Sequence, residues 1–339
     1  MKKLYLIFAL LLSVYAVVAQ RSFEVGLATG ICNYFGDLGN ESTFQTSSTR
    51  PGVAITLRNF TGNSNLTGNL YNPFSFETRF SWHRIGYDET NPINDQQGWE
   101  LPNYGRGLNF QNDLYGFATH LTYTIYRNKR IPLYRQGAAI FVFTGVGVYY
   151  GKPKADLFRG NPENNLRYYY WNDGTTRDMP EETGSGNIIT KDGDFETDLT
   201  EWCTEKGQAY GELYGHKKYS DFHVGIPMGF GFRYGLSKVL TLSAEFGYYY
   251  FLTDYLDDVH DQYVTNDDLN EMYPNDKAMQ NLALYVSDPT GWGTNGYPFT
   301  PPTSPRGNPA SNDAYSFINL EMAYKFNLRG EKVRFFGRK

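Results

Sequence analysis

Two neighbouring segments of the chain, residues 222–234 and 240–252, alternate between large apolar side chains and small or polar ones. A period of two residues predicts β-strands that have one apolar face and one polar face. The two segments are separated only by residues 235–239, which is enough for a turn. The pattern therefore predicts an antiparallel pair of strands, one face of which meets an apolar medium.

Six further segments have the same alternation and extend the prediction to eight strands. They are Ser22–Tyr34, Gly52–Phe60, Phe74–Ile85, Asp113–Tyr126, Ala138–Tyr150 and Tyr315–Phe326. Each is long enough to cross a bilayer when it is tilted, and short and long connections follow one another in turn. The two longest connections cover about 151–220 and 253–314. We therefore predict an all-β fold: an eight-stranded antiparallel transmembrane β-barrel of the outer membrane, covering residues 20–326, with long extracellular loops and both termini in the periplasm.

The amino terminus and the composition agree with an exported barrel. Residues 1–19 read as a signal peptide: Lys2 and Lys3 precede an apolar stretch, and small residues precede Gln20. Aromatic residues make up 17% of the chain, yet the mean hydropathy is only −0.52, which is typical of barrels rather than helical membrane proteins. The net charge of −5 gives no indication of nucleic-acid binding.

The predicted inward face of the barrel carries charges of both signs. The expected interior set is Glu24, Arg58, Glu77, Arg79, Arg233, Glu245, Glu321 and Lys325. Eight strands enclose a lumen about wide enough for side chains alone, and buried charges are costly unless they are paired. We expect ion pairs that fill the barrel; a path for protons or solutes is the alternative.

The two cysteines, Cys32 and Cys203, lie far apart in an exported chain, where disulfides persist. We expect a disulfide that ties the third long loop to the barrel mouth; a bond to a partner's cysteine and two unreactive thiols are the alternatives. In the same loop, residues 167–171 (RYYYW) form an aromatic patch that suits either the core of the loop or a contact surface.

Four aspartates, Asp254, Asp257, Asp258 and Asp261, follow the seventh strand, with Tyr255 among them. Their spacing places them on one face if a helical turn forms, with Asp254 as its N-cap. Like charges at this spacing repel, so a counter-charge or an ion must lie nearby. We interpret the stretch as an organiser of the barrel rim; a Ca²⁺ site is the alternative.

Neither a catalytic nor a cofactor motif appears in the sequence. His83, His120, His223 and His260 raise the question of catalysis, and the aspartates beside His260 imitate a catalytic group. No motif joins a nucleophile, a base and an orienting group, and no metal-ligand spacing appears. We expect no enzymatic activity and no cofactor.

The chain continues beyond its last predicted strand as a basic tail, residues 327–339. Arg329, Lys332, Arg334 and Arg338 surround the apolar pair Phe335 and Phe336. Aromatic and arginine side chains are effective anchors in interfaces. We expect either a periplasmic docking peptide for a protein partner or a solvated tail that touches lipid phosphates.

Several short motifs resemble the PorG family of outer-membrane barrels in Bacteroidetes. They are NYFGDL (33–38), RPG (50–52), FQNDLYGF (110–117) and AEFGYYYFLTDYLDDV (244–259), of which TDYLDDV is the most specific. The resemblance implies a component of the type IX secretion system, with a link to protein transport and gliding motility. It implies binding to a periplasmic ring made of a lipoprotein and its partner, of the PorK and PorN or GldK and GldN type. A barrel enzyme at the rim, and a ligand-binding or channel barrel, remain the alternatives.

Overall fold

The computed structural model describes residues 22–40, 46–60, 73–128, 133–206, 208, 219–293 and 305–327. The predicted signal peptide and the predicted docking tail, from Leu328 onward, lie outside these residues.

Twelve strands lie in the described residues. They are β1 (Ser22–Phe35), β2 (Arg50–Phe60), β3 (Phe74–Asp88), β4 (Asn109–Ile125), β5 (Ala138–Tyr150), β6 (Pro153–Ala155), β7 (Tyr169–Tyr170), β8 (Thr176–Arg177), β9 (Thr197–Asp198), β10 (Phe222–Gly235), β11 (Leu240–Phe251) and β12 (Ala314–Asn327). The eight long ones pair antiparallel in the order β1-β2-β3-β4-β5-β10-β11-β12, and β12 pairs with β1 to close the barrel. The prediction of an eight-stranded antiparallel barrel is confirmed.

Helices lie only in the connections of the described chain. They are α1 (Leu133–Gln136), α2 (Asn266–Met272) and α3 (Lys277–Ser287), with 3-10 turns at Thr46–Ser48, Gly98–Glu100, Tyr104–Arg106, Pro162–Asn164, Glu181–Thr183 and Leu199–Glu201. Within the described ranges, no helix has the length and apolar character needed to cross a membrane.

The outer surface of the barrel is apolar, as the alternation predicts. Large apolar side chains near mid-strand are exposed: Leu27, Ile55, Phe80, Val146, Phe230 and Leu320. Exposed aromatic side chains lie towards both ends, with Phe74, Tyr123, Tyr324 and Phe326 at one and Tyr115, Tyr150 and Phe222 at the other. An apolar band between two aromatic girdles is the surface of an outer-membrane barrel.

The strands β3 and β4 continue past their predicted ends at Ile85 and Asp113. Their ladder reaches Asp88 opposite Asn109. In this extension consecutive residues of β3 are buried, whereas the rest of the strand follows alternation more closely. The periodic signal stops here because protein, rather than lipid, covers both faces of the two strands.

Four connections lie at the end of the barrel opposite to Ser22 and Asn327. We call them loop 1 (36–49), loop 2 (89–108), loop 3 (151–221) and loop 4 (252–313), and together they form the cap. In loop 3, β6 pairs with β4 and β9 pairs with β6, so the loop extends the barrel wall. In loop 4, α2 and α3 begin at capped residues: Thr265 forms a capping box with Asp268, and Asp276 accepts a hydrogen bond from the Met279 amide.

The outer surface gives a test of membrane depth. Leu320 is 59% exposed and pairs with Thr29 and Ala244 in mid-barrel, whereas Leu252, 58% exposed, follows β11 at the cap end. We expect Leu320→Arg to lower the free energy of unfolding by about 2–4 kcal/mol and Leu252→Arg by about 0–1 kcal/mol, because a charge costs most at the bilayer centre. Urea unfolding in lipid vesicles measures both; equal losses would contradict this placement of the membrane.

Candidate functional site: the lumen and the cap

Arg58 lies at the centre of the barrel lumen and binds three glutamates. Its guanidinium nitrogens lie 2.9 Å from Glu24 Oε2, 2.8 Å from Glu77 Oε1 and 2.6 Å from Glu321 Oε1. Glu24, Arg58 and Glu77 stand directly opposite one another across β1, β2 and β3. All four side chains are buried, so one planar, permanently charged group holds three strands and β12 together.

Two further arginines complete this charged layer. Arg79 makes a bidentate pair with Glu245 at 2.6 and 2.9 Å, and Arg233 lies 2.7 Å from Glu77 Oε1. Lys325, opposite Glu24 in the β1–β12 ladder, is only partly buried. The structure thus brings seven of the eight expected interior charges into buried ion pairs, whereas Lys325 is partly exposed.

An aromatic layer fills the lumen between the charged layer and the cap. Tyr249 and Tyr315 stack with ring centroids 4.7 Å apart, and His83 Nδ1 lies 2.7 Å from the Tyr315 hydroxyl. Tyr149, Phe251 and Phe317 are also buried in this region. His120 and His223 are buried as well, and His120 stands opposite Glu77. Side chains occupy the width that eight strands enclose, so this lumen is built as a packed core.

Two arginines tie the four cap loops together. Arg106 of loop 2 forms an ion pair with Glu89 and donates to the backbone oxygens of Asp37 in loop 1 and Arg306 in loop 4, at 3.0 and 2.8 Å. Arg306 in turn lies 3.4 Å from Glu205 Oε1 of loop 3 and contacts Asp258. Loops 3 and 4 therefore share a buried ion pair, and loops 1, 2 and 4 are joined by hydrogen bonds from Arg106 to backbone oxygens.

The four aspartates of the rim take separate roles. Asp254 pairs with His260 Nδ1 at 2.9 Å, and Asp257 accepts from the Tyr34 hydroxyl and, at 2.9 Å, from the Val259 amide. Asp258 accepts from the Thr204 and Tyr219 hydroxyls at 2.6 and 2.7 Å. These three are buried, and Asp261 is partly exposed. Tyr255 stacks on Tyr219, with ring centroids 4.4 Å apart.

The helical turn that would place these aspartates on one face does not form. Residues 254–261 form bends, and Asp258 has a positive φ of 66°. Asp254 is therefore not a helix N-cap. The irregular backbone points the carboxylates to different partners, which avoids the repulsion that one helical face would impose. The expected counter-charge is Arg306. Among the described residues, no group of three or more His, Cys, Asp or Glu could hold a metal ion.

The expected disulfide is also corrected. Cys32 and Cys203 are buried and are not joined to each other. Cys32 packs among the aromatic residues of the lumen, while Cys203 packs with Val264, Leu269 and Ala283 in loop 4. Loop 3 is instead held by a hydrogen bond to loop 2, from Tyr104 to the Trp171 carbonyl, and by hydrogen bonds and an ion pair to loop 4.

Burial shifts the acid–base behaviour of the cap carboxyls. Burial raises the pKa of Glu205 to about 7 despite the opposing effect of Arg306, and it raises the pKa of Asp254 to about 6. The pKa values of Asp257 and Asp313 are raised well above the usual range, first by burial, and each carboxyl is close to other acids. The desolvated cap thus favours protonated carboxyls.

Arg106, Arg306, Glu89 and Glu205 were not predicted from the sequence. The sequence holds one signal for Arg306. Residues 253–313 contain ten acidic residues, one lysine (Lys277) and one arginine (Arg306). An arginine alone in an acidic loop is a candidate for a buried ion pair, but its partners in other loops cannot be read from spacing.

Arg58 gives the first test of the site. We expect Arg58→Met to lower the free energy of unfolding by about 3–5 kcal/mol, because three buried carboxylates lose their common partner. Arg84→Met is the control: Arg84 and Asp113 are 34% and 33% exposed, so about 1 kcal/mol or less should be lost. Urea unfolding in detergent micelles compares the two; a similar loss in both would refute the role of Arg58.

Glu205 gives the second test. Its Oε1 accepts from the amides of His260 and Asp261 at 2.7 and 3.1 Å. Its pKa of about 7 in the folded cap exceeds the value of about 4.3 in an opened loop. The folded cap therefore binds more protons between these values, and its stability falls as pH rises, by up to about 1.4 kcal/mol per pH unit.

Hydrogen exchange of those two amides, corrected for intrinsic rates, follows this opening. We expect their protection to decline from about pH 4.5 to 7 in the native protein. In Glu205→Gln, which keeps an acceptor oxygen but does not titrate, protection should decline less steeply with pH, and the remaining slope reports other cap carboxyls such as Asp254. An unchanged slope in this variant would show that another group titrates.

Comparisons with known proteins give structural likeness alone. The sequence matches no protein-family model and no curated protein. Among solved structures, Neisserial surface protein A has 8% identity and a TM-score of 0.34, with 90% of this chain and 97% of that chain covered. Ail of Yersinia pestis, in complex with the heparin analogue sucrose octasulfate, has 7% identity and a TM-score of 0.33, with 91% of this chain and 99% of that chain covered. A major outer membrane protein of Thermus thermophilus has 9% identity and a TM-score of 0.34, with 90% of this chain and 99% of that chain covered. The strand pairing itself establishes the eight-stranded outer-membrane barrel fold of this chain.

Proposed function

We propose that the protein is a non-enzymatic outer-membrane component of the type IX secretion system. It anchors a periplasmic ring of a lipoprotein and its partner, of the PorK and PorN or GldK and GldN type, to the outer membrane. The motifs at 33–38, 50–52, 110–117 and 244–259 support this assignment through their resemblance to the PorG family.

The observation that carries the proposal is the filled lumen. Arg58, Arg79 and Arg233 hold four buried glutamates across the barrel, and an aromatic layer and the cap follow above them. Such an interior suits a rigid anchor better than a conduit, since moving a solute through it would break buried ion pairs. The functional surfaces of an anchor are its two ends.

The end that holds Ser22 and Asn327 carries positive charge. Arg127 and Arg135 are exposed in the connection from β4 to β5, and Lys238 is exposed between β10 and β11. The basic tail continues from this same end. We propose that it faces the periplasm, where the turns and the tail together contact an acidic region of the ring.

Deleting residues 328–339 tests the docking role of the tail. We expect the truncated barrel to insert normally but to co-purify less ring lipoprotein after extraction in mild detergent, because the aromatic and arginine anchors are lost. Lys339 and Arg338 can be kept in a second variant in which only Phe335 and Phe336 become Ala, which separates apolar anchoring from charge.

Glu182→Gln, in the cap at the opposite end, is the matched control and should leave the ring complex unchanged. An unchanged yield after tail deletion would refute docking through the tail. Loss of the ring complex with intact secretion would refute the anchoring function itself.

A further inference from the structure

A half-open cavity of about 210 Å³ lies on the cap, where loops 2, 3 and 4 meet. Trp99 and Trp292 contribute indole rings from loops 2 and 4, and Tyr170 contributes a phenol ring from loop 3. Glu181 and Glu182 of loop 3 add two carboxylates to the same lining. The cavity lies outside the barrel and takes no part in the ion pairs described above.

The two indole rings converge on Gly105, which has no side chain to separate them. A Cβ atom at this position would lie 2.7 Å from Trp99 Cζ3 and 2.9 Å from Trp292 Cδ1. The hydroxyl of Thr290 donates to the Gly105 carbonyl at 2.6 Å and accepts from the Trp292 amide at 3.2 Å. The close approach of the two rings is therefore fixed by loop 4 as well as by loop 2.

Tyrosines hold the opposite wall in place. Tyr104 packs edge-on against Trp99 and Tyr170, with ring centroids 6.0 and 6.3 Å apart, and its hydroxyl donates to the Trp171 carbonyl at 2.8 Å. Trp99 is 42% exposed, and Trp292 and Tyr170 are partly exposed. A rigid set of aromatic rings remains open to a ligand without rearrangement of the loops.

The carboxylates of Glu181 and Glu182 make the cavity lining negatively charged. Glu181 Oε2 accepts from the Asn172 amide and side chain at 3.2 and 2.9 Å, which fixes this carboxylate. Glu182 is exposed, and within the described ranges no ion pair involves it. Lys191 lies 5.0 Å above the Tyr170 ring, but its charge is matched by Asp88 at 3.0 Å. Loop 4, which supplies Trp292, is itself strongly acidic.

Cations already rest on aromatic rings elsewhere in the cap. The Arg177 guanidinium lies 3.9 Å from the Trp171 ring centroid, and that of Arg167 lies 4.3 Å from the Tyr285 ring. The electron-rich faces of indole and phenol rings attract cations, and a nearby carboxylate adds the attraction of an opposite charge. The cavity has this combination of rings and carboxylates facing solvent.

We propose that this cavity binds an organic ammonium group: the head of a quaternary amine or the end of a lysine side chain. The rings surround the cation, and Glu181 and Glu182 supply the opposite charge. The volume is below the roughly 300–1,000 Å³ of pockets that enclose whole drug-sized ligands, so a single head group fits better than an extended molecule. A sugar ring also stacks on indoles, but it has no need of two carboxylates.

Saturation-transfer NMR on the purified full-length protein in a non-ionic detergent tests the proposal. Choline and its uncharged isostere 3,3-dimethylbutan-1-ol have nearly the same shape, so the difference between them reports charge. We expect choline to bind at least about fivefold more tightly than the alcohol. Nα-acetyl-lysine methylamide, in a parallel titration, represents a peptide source of the same chemistry: tighter binding than choline assigns the cavity to a lysine side chain, and weaker binding assigns it to a quaternary head group.

Three variants and one control locate the binding. We expect Trp292→Leu, Glu182→Gln and Gly105→Ala each to weaken choline binding, Trp292→Leu by at least about fivefold. Glu163→Gln is the control, because Glu163 is an exposed carboxylate of the same loop outside the cavity, and it should bind as the native protein does. Heat-modifiable electrophoretic mobility checks that each barrel is folded.

Equal binding of choline and the alcohol would overturn the proposal, and so would saturation transfer to N-acetylglucosamine but not to choline. Choline binding that survives Trp292→Leu and Glu182→Gln in folded protein would also overturn it. The ring complex assay of the tail variants is unaffected by any of these outcomes, since the cavity lies in the cap, at the end of the barrel opposite to Asn327, after which the tail begins.

Discussion

The contact of Arg58 with Glu24, Glu77 and Glu321 is the interaction on which the barrel depends. Eight strands leave a lumen too narrow for bulk water and too wide to be left empty. A guanidinium that donates to three carboxylates fills this space and fixes the register of four strands at once. Apolar packing alone would fill the volume, but it would not distinguish one register from a shift of two residues, whereas opposite charges facing across each ladder do.

The same chemistry recurs above the membrane. Arg106 and Arg306 link four loops that have little regular structure, and together with the aromatic clusters they turn long connections into an ordered cap. Because Glu205 and Asp258 are buried beside Arg306, opening one loop would expose charges in the others. The cap therefore behaves as one unit rather than as four independent loops, and its carboxyls make that unit sensitive to pH.

The sequence predicted the barrel well because the membrane imposes a simple rule on every strand. One face of β10 and β11, and of β12 from Ile318 onward, is turned towards lipid, so alternation persists there and inward charges such as Arg58 and Glu245 can be predicted. The loops of the cap do not contact lipid along one face, so their sequences carry no such alternation. Arg306 pairs with Glu205, which is 101 residues away in the chain. The Asp254–Asp261 stretch is bent rather than helical because its partners come from β1 and from loops 3 and 4. Thr265 and Asp276 cap two short helices in loop 4, which the alternation of the barrel strands does not predict.

Charge is distributed unequally along the barrel axis, and this argues for different partners at the two ends. Acidic residues dominate loop 4 and line the aromatic cavity of the cap, while exposed Arg127, Arg135 and Lys238 lie at the end that carries the termini. In the charged layer of the lumen, between these two ends, arginines and glutamates pair with one another, so this layer adds little to the electrostatic potential at either end. A protein with this arrangement attracts cations at the cap and anionic surfaces at the termini. In the proposed anchor, the filled lumen would keep these two surfaces of opposite sign at a fixed distance across the membrane.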